Sequence, residues 1–213
     1  PDYKKVSHIP VYSVHQIALI VIAYIGVFGG IALNVYAGVS LWIVYPVMIF
    51  CFYTAFTPLH DSTHRAVSSD NFINDALGTI SGFLLFPFVN APLYRFLHLA
   101  HHRYVGDRDL DPDEAMVSIP TKYFPFGYLS LLFPEVIWAH WILVKAWKRT
   151  PNKTRVNVFI MLIALFVALI VIIPLIEKSG VRFSDQQTAK IARWIWPLVM
   201  ISMVVSLIYH LLR

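Results

Sequence analysis

Charged side chains are scarce in this sequence. Only 14% of the 213 residues are charged, whereas an average soluble domain has roughly 25%. Apolar residues make up 58%, and the mean hydropathy is +0.64. A water-soluble globule is excluded, because the apolar residues stand in long runs. The length fits a single membrane domain over residues 1–213.

Cysteine is also nearly absent. The single Cys51 cannot form an internal disulfide, and its apolar surroundings predict a packing role. Basic residues exceed acidic ones, giving a net charge of +5. They stand at the ends of apolar runs, which is typical of membrane proteins, so no nucleic-acid partner is expected. The basic stretch within residues 145–155 is interpreted in the same way, as an anchor at the membrane surface.

Four runs without charge are long enough to cross a membrane as helices. They cover residues 16–38, 41–59, 156–176 and 194–212. The runs pair into two helical hairpins. Two other apolar segments, 77–94 and 124–147, contain prolines and polar residues, so we expect them to be interfacial or re-entrant. The predicted fold is an all-α, multi-pass integral membrane protein.

The distribution of Lys and Arg predicts the orientation in the membrane. With four spans, both termini and residues 60–155 lie on one side, and about three quarters of the basic residues lie there. Because cytoplasmic loops are enriched in Lys and Arg, we expect this side to be cytoplasmic.

Five of the nine histidines stand in two tight groups at that predicted side. The groups are His60 and His64 in HDSTH, and His98, His101 and His102 in HLAHH. On a helix, each group presents its imidazoles on one face. Converging neutral imidazoles are costly without a partner, and a transition metal is the usual one. The sequence therefore predicts that these five histidines bind metal at the cytoplasmic edge.

Nearby carboxylates have two possible roles. Asp61 and Asp107 are candidates for orienting the histidine ligands through the second ring nitrogen, although a solvated surface carboxylate is an equally good interpretation of each. The acidic stretch 107–114 resembles the start of a calcium loop, but Pro112 and Ser118 stand where such a loop needs Gly and Glu. We interpret this stretch as a solvated turn.

The two groups resemble the HxxxH and HxxHH boxes of the membrane-bound fatty acid desaturase and hydroxylase superfamily. The resemblance extends to Thr57-Pro58-Leu59 before the first box, to Arg103-Tyr104 after the second, and to Asp111-Pro112-Asp113 beyond. It implies a diiron centre, O2 as cosubstrate, and an external electron donor such as ferredoxin or cytochrome b5. The implied reaction oxidises C–H bonds of a lipid. Fatty acyl desaturation is the expected reaction, with carotenoid hydroxylation as the alternative.

One box of that superfamily is missing from the sequence. Its third histidine box follows the fourth span, whereas this chain ends at Arg213. His210 lies in the last turn of the predicted span and is a poor substitute. The expectation is a C-terminally incomplete chain that binds metal weakly or incompletely and lacks full activity.

A non-catalytic membrane protein that binds or transports metal is the alternative from another class, beside a zinc hydrolase. A transporter places polar ligands near the middle of its spans, but here the only histidine within a predicted span after Gln16 is His210. A bis-histidine haem protein needs single histidines on facing spans. The clusters at span ends favour an enzyme.

Overall fold

A computed structural model describes residues 9–122 and 134–168 of the chain. Within these residues every regular element is helical. The helices are α1 (Val14–Ala37), α2 (Leu41–Thr63), α3 (Asn71–Phe83), α4 (Ala91–Tyr104), α5 (Pro112–Lys122), α6 (Pro134–Trp141) and α7 (Asn152–Val167). A π-helix (Ile142–Ala146) and a 3-10 turn (Trp147–Arg149) follow α6. The backbone divides into two compact units, Pro1–His102 and Arg103–Arg213.

Among the described residues, α1 and α2 are the helices that are long and apolar enough to cross a membrane. At 24 and 23 residues, each is roughly 35 Å long, which exceeds the ~30 Å hydrocarbon core of a bilayer. The chain turns at Gly38, whose φ of +68° is readily adopted only without a Cβ. The Ser40 hydroxyl then accepts a hydrogen bond from the N–H of Trp42 and caps α2. The predicted first hairpin is confirmed as two apolar helices joined by a tight turn.

Small residues allow α1 and α2 to approach closely. A Cβ built on Gly26 would lie 2.1 Å from the Sγ of Cys51, and one on Gly30 would lie 3.0 Å from a methyl group of Val44. Gly26 and Gly30 have the spacing of small residues that brings membrane helices together. Cys51 is buried at this contact, as its predicted packing role requires.

The second predicted pair of spans is described only in part. Helix α7 covers the first part of the span predicted over residues 156–176. The remainder of that span and the whole of 194–212 lie outside the described residues. The second hairpin, and with it the cytoplasmic orientation, stay predictions.

The segment predicted as interfacial over residues 77–94 divides between the end of α3 and the start of α4. Residues 84–90, which include Pro87, separate the two helices. At 13 residues, α3 is roughly 20 Å long and too short to cross a membrane. The segment predicted over 124–147 is described only from residue 134 onward, as α6 and the π-helix.

In the second unit, carboxylates build the loop between α4 and α5. Asp107 Oδ1 accepts hydrogen bonds from two backbone N–H groups of the following turn, each at 2.9 Å. Asp111 is fully buried and accepts from the N–H groups of Gly106 and Asp113, at 2.8 and 2.9 Å. The expectation of a solvated turn is wrong for Asp111, because its oxygens replace water as partners of the loop backbone.

Two residues of the basic stretch also stabilise this loop. Lys145 Nζ donates to the carbonyl oxygen of Arg108 and pairs with the carboxylate of Asp109, both at 2.8 Å. Arg149 donates to the carbonyl oxygen of Asp109 at 3.1 Å and lies over the ring of Trp141. The sequence interpretation of a surface anchor therefore missed a structural role of Lys145 and Arg149.

Glu135 should make the stability of the second unit depend on pH. This carboxyl is 3% exposed in α6, and burial raises its pKa from 4.5 to about 7, against a smaller lowering effect of its own backbone N–H. The folded state therefore retains a proton that the unfolded state loses, so stability should fall as the pH rises from about 4.5 to about 7. We expect Glu135→Gln to match the wild type at about pH 4 and below and to be more stable above pH 7, by as much as about 3 kcal/mol.

Thermal unfolding of the detergent-solubilised protein across this pH range measures the effect. Glu114→Gln in the half-exposed first turn of α5 is the matched control and should follow the wild type. Parallel pH profiles for the wild type and Glu135→Gln would contradict the prediction.

Candidate metal centre

The first histidine box lies at the end of α2. This helix continues past Leu59, the predicted limit of the span, so His60 occupies its last turn and His64 follows its last residue. The i, i+4 spacing places both rings on one side of the chain. Their centroids are 5.0 Å apart.

The second box lies on α4. His98 and His102 are one turn apart, and their rings are in edge contact with centroids separated by 4.5 Å. His101 is displaced about 100° around the helix from His102, and its ring centroid lies 5.9 Å from that of His102.

Four of the five predicted ligands meet in the first unit. One ring nitrogen from each of the four lies within 4.8 Å of the others, and the four are His60, His64, His98 and His102. His98 is central, because its Nε2 lies 3.2 Å from Nε2 of His64 and 2.9 Å from Nε2 of His102. Two nitrogens bound to one metal ion at about 2.0–2.1 Å lie about 2.9–3.4 Å from each other. The distances from His98 to His64 and to His102 therefore fit nitrogens that share a transition metal ion.

The surroundings of His98 and His64 favour the neutral imidazole, which is the form that binds metal. Burial lowers the pKa of His98 to about 3, with further lowering by the neighbouring histidines. Burial also lowers the pKa of His64, and His60 and His102 add to this against a smaller opposing effect of Asp61. Because a metal binds the neutral imidazole, these two side chains need lose no proton at neutral pH.

Asp61 contacts the second ring nitrogen of a clustered histidine. Its Oδ1 lies 3.3 Å from Nδ1 of His60. Because a carboxylate accepts hydrogen bonds, this contact favours the tautomer that carries its proton on Nδ1, and that tautomer leaves the lone pair on Nε2. The other oxygen, Oδ2, accepts a hydrogen bond of 2.8 Å from the buried amide of Gln16.

Asp107, the other carboxylate predicted to orient a ligand, belongs to the second unit. Its Oδ1 accepts hydrogen bonds from its own loop. Its predicted role toward the histidines stays a prediction.

Sequence reasoning missed side chains that support the histidines. Tyr94 stacks on His98 with its ring tilted by only 17°, Gln16 holds Asp61, and Arg95 donates to carbonyl oxygens at the end of α2. Each is a polar residue at the edge of an apolar segment. That position was the signal available in the sequence, but it does not identify the partner.

Comparison with known proteins gives a family match. The family model described as fatty acid desaturase matches residues 34–212, a range that includes both histidine boxes. No curated protein and no solved structure matches the chain. Because the match covers most of the sequence and the resemblance seen in the boxes agrees with it, this chain belongs to the fatty acid desaturase family.

Proposed function

We propose that the chain is an O2-dependent oxidoreductase that introduces a double bond into an acyl chain of a membrane lipid, with two irons held by its histidine boxes. The observation that carries this proposal is the convergence of four imidazoles from α2 and α4. His60, His64, His98 and His102 would hold the metal, and His101 is proposed as a further ligand. When bound, iron supplies the O2-activating chemistry that no amino-acid side chain provides.

The proposed reaction needs an electron donor. Desaturation removes two protons and two electrons from adjacent carbons, while the reduction of O2 to two waters consumes four electrons and four protons. The substrate therefore supplies half of the electrons and protons, an external protein supplies the other two electrons, and the solvent supplies the other two protons. A ferredoxin or a cytochrome b5 is the proposed donor.

The residues around the cluster would prepare it for this chemistry. Asp61 would hold the proton of His60 at Nδ1 and so leave the lone pair of Nε2 available to a metal. Gln16 fixes the orientation of Asp61 through its second oxygen. The stacked ring of Tyr94 limits rotation of His98. Such supporting contacts commonly change metal affinity by 10-fold to 100-fold.

An open cleft of about 370 Å³ in the first unit supports the proposal that the substrate is a lipid. It is lined mostly by apolar side chains of α3 and the beginning of α4, including Phe72, Ala76, Ile80 and Pro92. Phe72 and Ile80 also expose much of their surface. We propose that this apolar surface is one wall of the path taken by the acyl chain.

The position of the histidines favours an enzyme over a metal transporter. His60 and His64 lie at the end of an apolar helix, not near its middle, whereas a transporter needs polar ligands near the bilayer midplane. In the proposed topology of four spans, the metal centre and both termini are cytoplasmic, where a soluble electron donor has access.

Metal and product analysis of the full chain tests the proposal. When the protein is expressed from its complete gene, so that any further histidine ligands are included, the purified protein should contain about two irons per chain, and membranes of the expressing host should form new double bonds only with O2 and a reductant present. The host is supplied with both acyl lipids and a carotenoid. Zinc at about one ion per chain without oxidised product would overturn the proposal. A hydroxylated carotenoid as the sole product would overturn acyl desaturation.

A further inference from the structure

The two histidine pairs lie on different helices, and Arg95 connects these helices. Arg95 precedes His98 by three residues on α4, so it lies about one turn away. Its Nη2 donates to the carbonyl oxygen of Ser62 at 2.7 Å, and its Nε donates to that of Thr63 at 3.1 Å. Ser62 and Thr63 lie between His60 and His64 in sequence. The contact therefore connects the helix that carries the second box to the backbone of the first box.

The end of α2 offers a suitable partner for a guanidinium group. The last carbonyl oxygens of a helix have no partner within that helix, and they carry the negative end of its dipole. Ser62 and Thr63 are buried, so water would not readily replace a lost donor. A planar guanidinium has N–H groups on separate nitrogens, so it can donate to both carbonyl oxygens at once. The N–H groups of a lysine ammonium share one nitrogen and span a shorter distance.

Asp75 on α3 holds Arg95 in place. Its Oδ1 accepts from Nη2 of Arg95 at 2.6 Å and from Nη1 of Arg65 at 2.9 Å. The Arg95 side chain is only 14% exposed and that of Asp75 is 25% exposed. Burial raises the pKa of Asp75, but the hydrogen bond and charge of Arg95, together with Asn74 and Arg65, outweigh this and lower it. The carboxylate therefore stays ionised at neutral pH.

Asn74 strengthens the same junction. This fully buried residue donates to the carbonyl oxygen of Ser62 at 2.9 Å and accepts from the N–H of Val67 at 3.3 Å. Besides the backbone N–H of Arg65 at 3.2 Å, the carbonyl oxygen of Ser62 thus receives one side-chain hydrogen bond from α3 and one from α4. Three helices meet at this single group.

We propose that Arg95, held by Asp75, is a positioning residue that sets the distance between the His60–His64 pair and the His98–His102 pair. This inference rests on the proposed metal-binding function. A metal site tolerates displacement of its ligands by only about 0.5 Å, and the histidine rings approach one another across two separate helices. The hydrogen bonds of Arg95 fix the helices before any metal binds.

The distance between α2 and α4 in the metal-free protein tests this role. In a Cys51→Ala background, nitroxide labels at Tyr53→Cys and Leu99→Cys report that distance by pulsed EPR, since both native side chains are exposed. Arg95→Met should broaden and lengthen the distance distribution. Arg95→Lys should broaden it less, because lysine keeps the positive charge next to Asp75 but lacks the two separate nitrogens that donate to Ser62 and Thr63.

Arg65→Met is the matched control. The side chain of Arg65 contacts the same carboxylate but donates to neither Ser62 nor Thr63. The substitution keeps the backbone N–H of residue 65, which donates to the carbonyl oxygen of Ser62 at 3.2 Å, so it should leave the distribution as in the wild type. An Arg95→Met distribution that matches the wild type would overturn the proposal. If Arg95→Met does not fold, the same conclusion follows from an unchanged distribution in Arg95→Lys.

Cobalt binding by the same proteins separates this inference from the proposed function. The wild type should bind Co²⁺ with a visible spectrum of nitrogen coordination, and Arg95→Met should bind at least about tenfold more weakly. A wild type that binds no Co²⁺ or iron, combined with a broadened Arg95→Met distribution, would overturn the proposed metal centre and leave the role of Arg95 in helix spacing supported. Equal Co²⁺ affinity of both proteins would overturn the positioning role.

Discussion

Replacing His98 with alanine should abolish product formation and lower metal affinity by more than about 100-fold. His98 is the central member of the cluster, since its Nε2 lies 2.9 Å from that of His102 and 3.2 Å from that of His64. Its ring also contacts that of His60 in an edge arrangement. Without His98, the first box and His102 lose the side chain that lies between them, and the remaining donors would not complete the proposed coordination sphere.

The measurement combines metal content of the purified protein with product analysis of host membranes. His15→Ala is the matched control, because His15 is exposed near the start of α1 and should leave both quantities unchanged. Membrane insertion of His98→Ala should also be unchanged, because α4 is a short helix outside the first hairpin. Retained product formation would remove the second box from the proposed reaction.

The first hairpin could be predicted closely from the sequence. The length of the uncharged runs and the intervening Gly38 determine two apolar helices and a tight turn, and both helices lie within a few residues of the predicted limits. The main difference is at the end of α2. The predicted span stops at Leu59 because His60 is polar, but the backbone continues as a helix to Thr63. Hydropathy defines the apolar segment, whereas backbone hydrogen bonds define the helix.

The histidine cluster could be predicted only in part. Spacing predicts which rings share a helix face, and it places His101 and His102 on either side of His98. The packing of α4 near α2 then decides that His102, rather than His101, joins the first box. That choice depends on contacts between residues far apart in sequence, and helical periodicity carries no information about them.

The supporting contacts could not be predicted for the same reason. Arg95 reaches Ser62 across 33 positions, and Gln16 reaches Asp61 across 45. Neither pair has a characteristic spacing. The burial of Asp111 could not be predicted either. Composition suggests a solvated acidic turn, whereas this carboxylate is buried and accepts hydrogen bonds from the loop backbone.

Replacing Gly78 with alanine should destabilise the first unit and weaken metal binding together. A Cβ at this position of α3 would lie 2.1 Å from Oγ and 2.5 Å from Cβ of Ser62, and 3.0 Å from Cβ of Ala91. Ser62 cannot rotate away easily, since it is fully buried and its hydroxyl donates to the carbonyl oxygen of Leu59. The helix α3 must therefore move away from the end of α2.

Such overpacking costs about 1–3 kcal/mol, partly offset by the better helix propensity of alanine, about 1 kcal/mol. For a chain of this length the net loss lowers the Tm by several degrees, at about 2–4 °C per kcal/mol. Asn74 and Asp75 lie one turn before Gly78 on α3, so its movement also weakens their hydrogen bonds to Ser62 and Arg95. Metal affinity should fall with the Tm.

Two comparisons isolate this contact. Gly29→Ala in α1 adds a Cβ with no atom within 4 Å, so its Tm should equal or exceed that of the wild type. In the Ser62→Gly background, which removes both of the closest atoms, Gly78→Ala should lower the Tm much less than it does in the wild type. Because residues in direct contact give non-additive effects, equal losses in the two backgrounds would show that Ser62 is not the group that Gly78 accommodates. A smaller loss of Tm in the Ser62→Gly background would show that Ser62 and Gly78 are in contact. If the double variant also recovers Co²⁺ affinity, the close packing of α3 on α2 affects the spacing of the histidines.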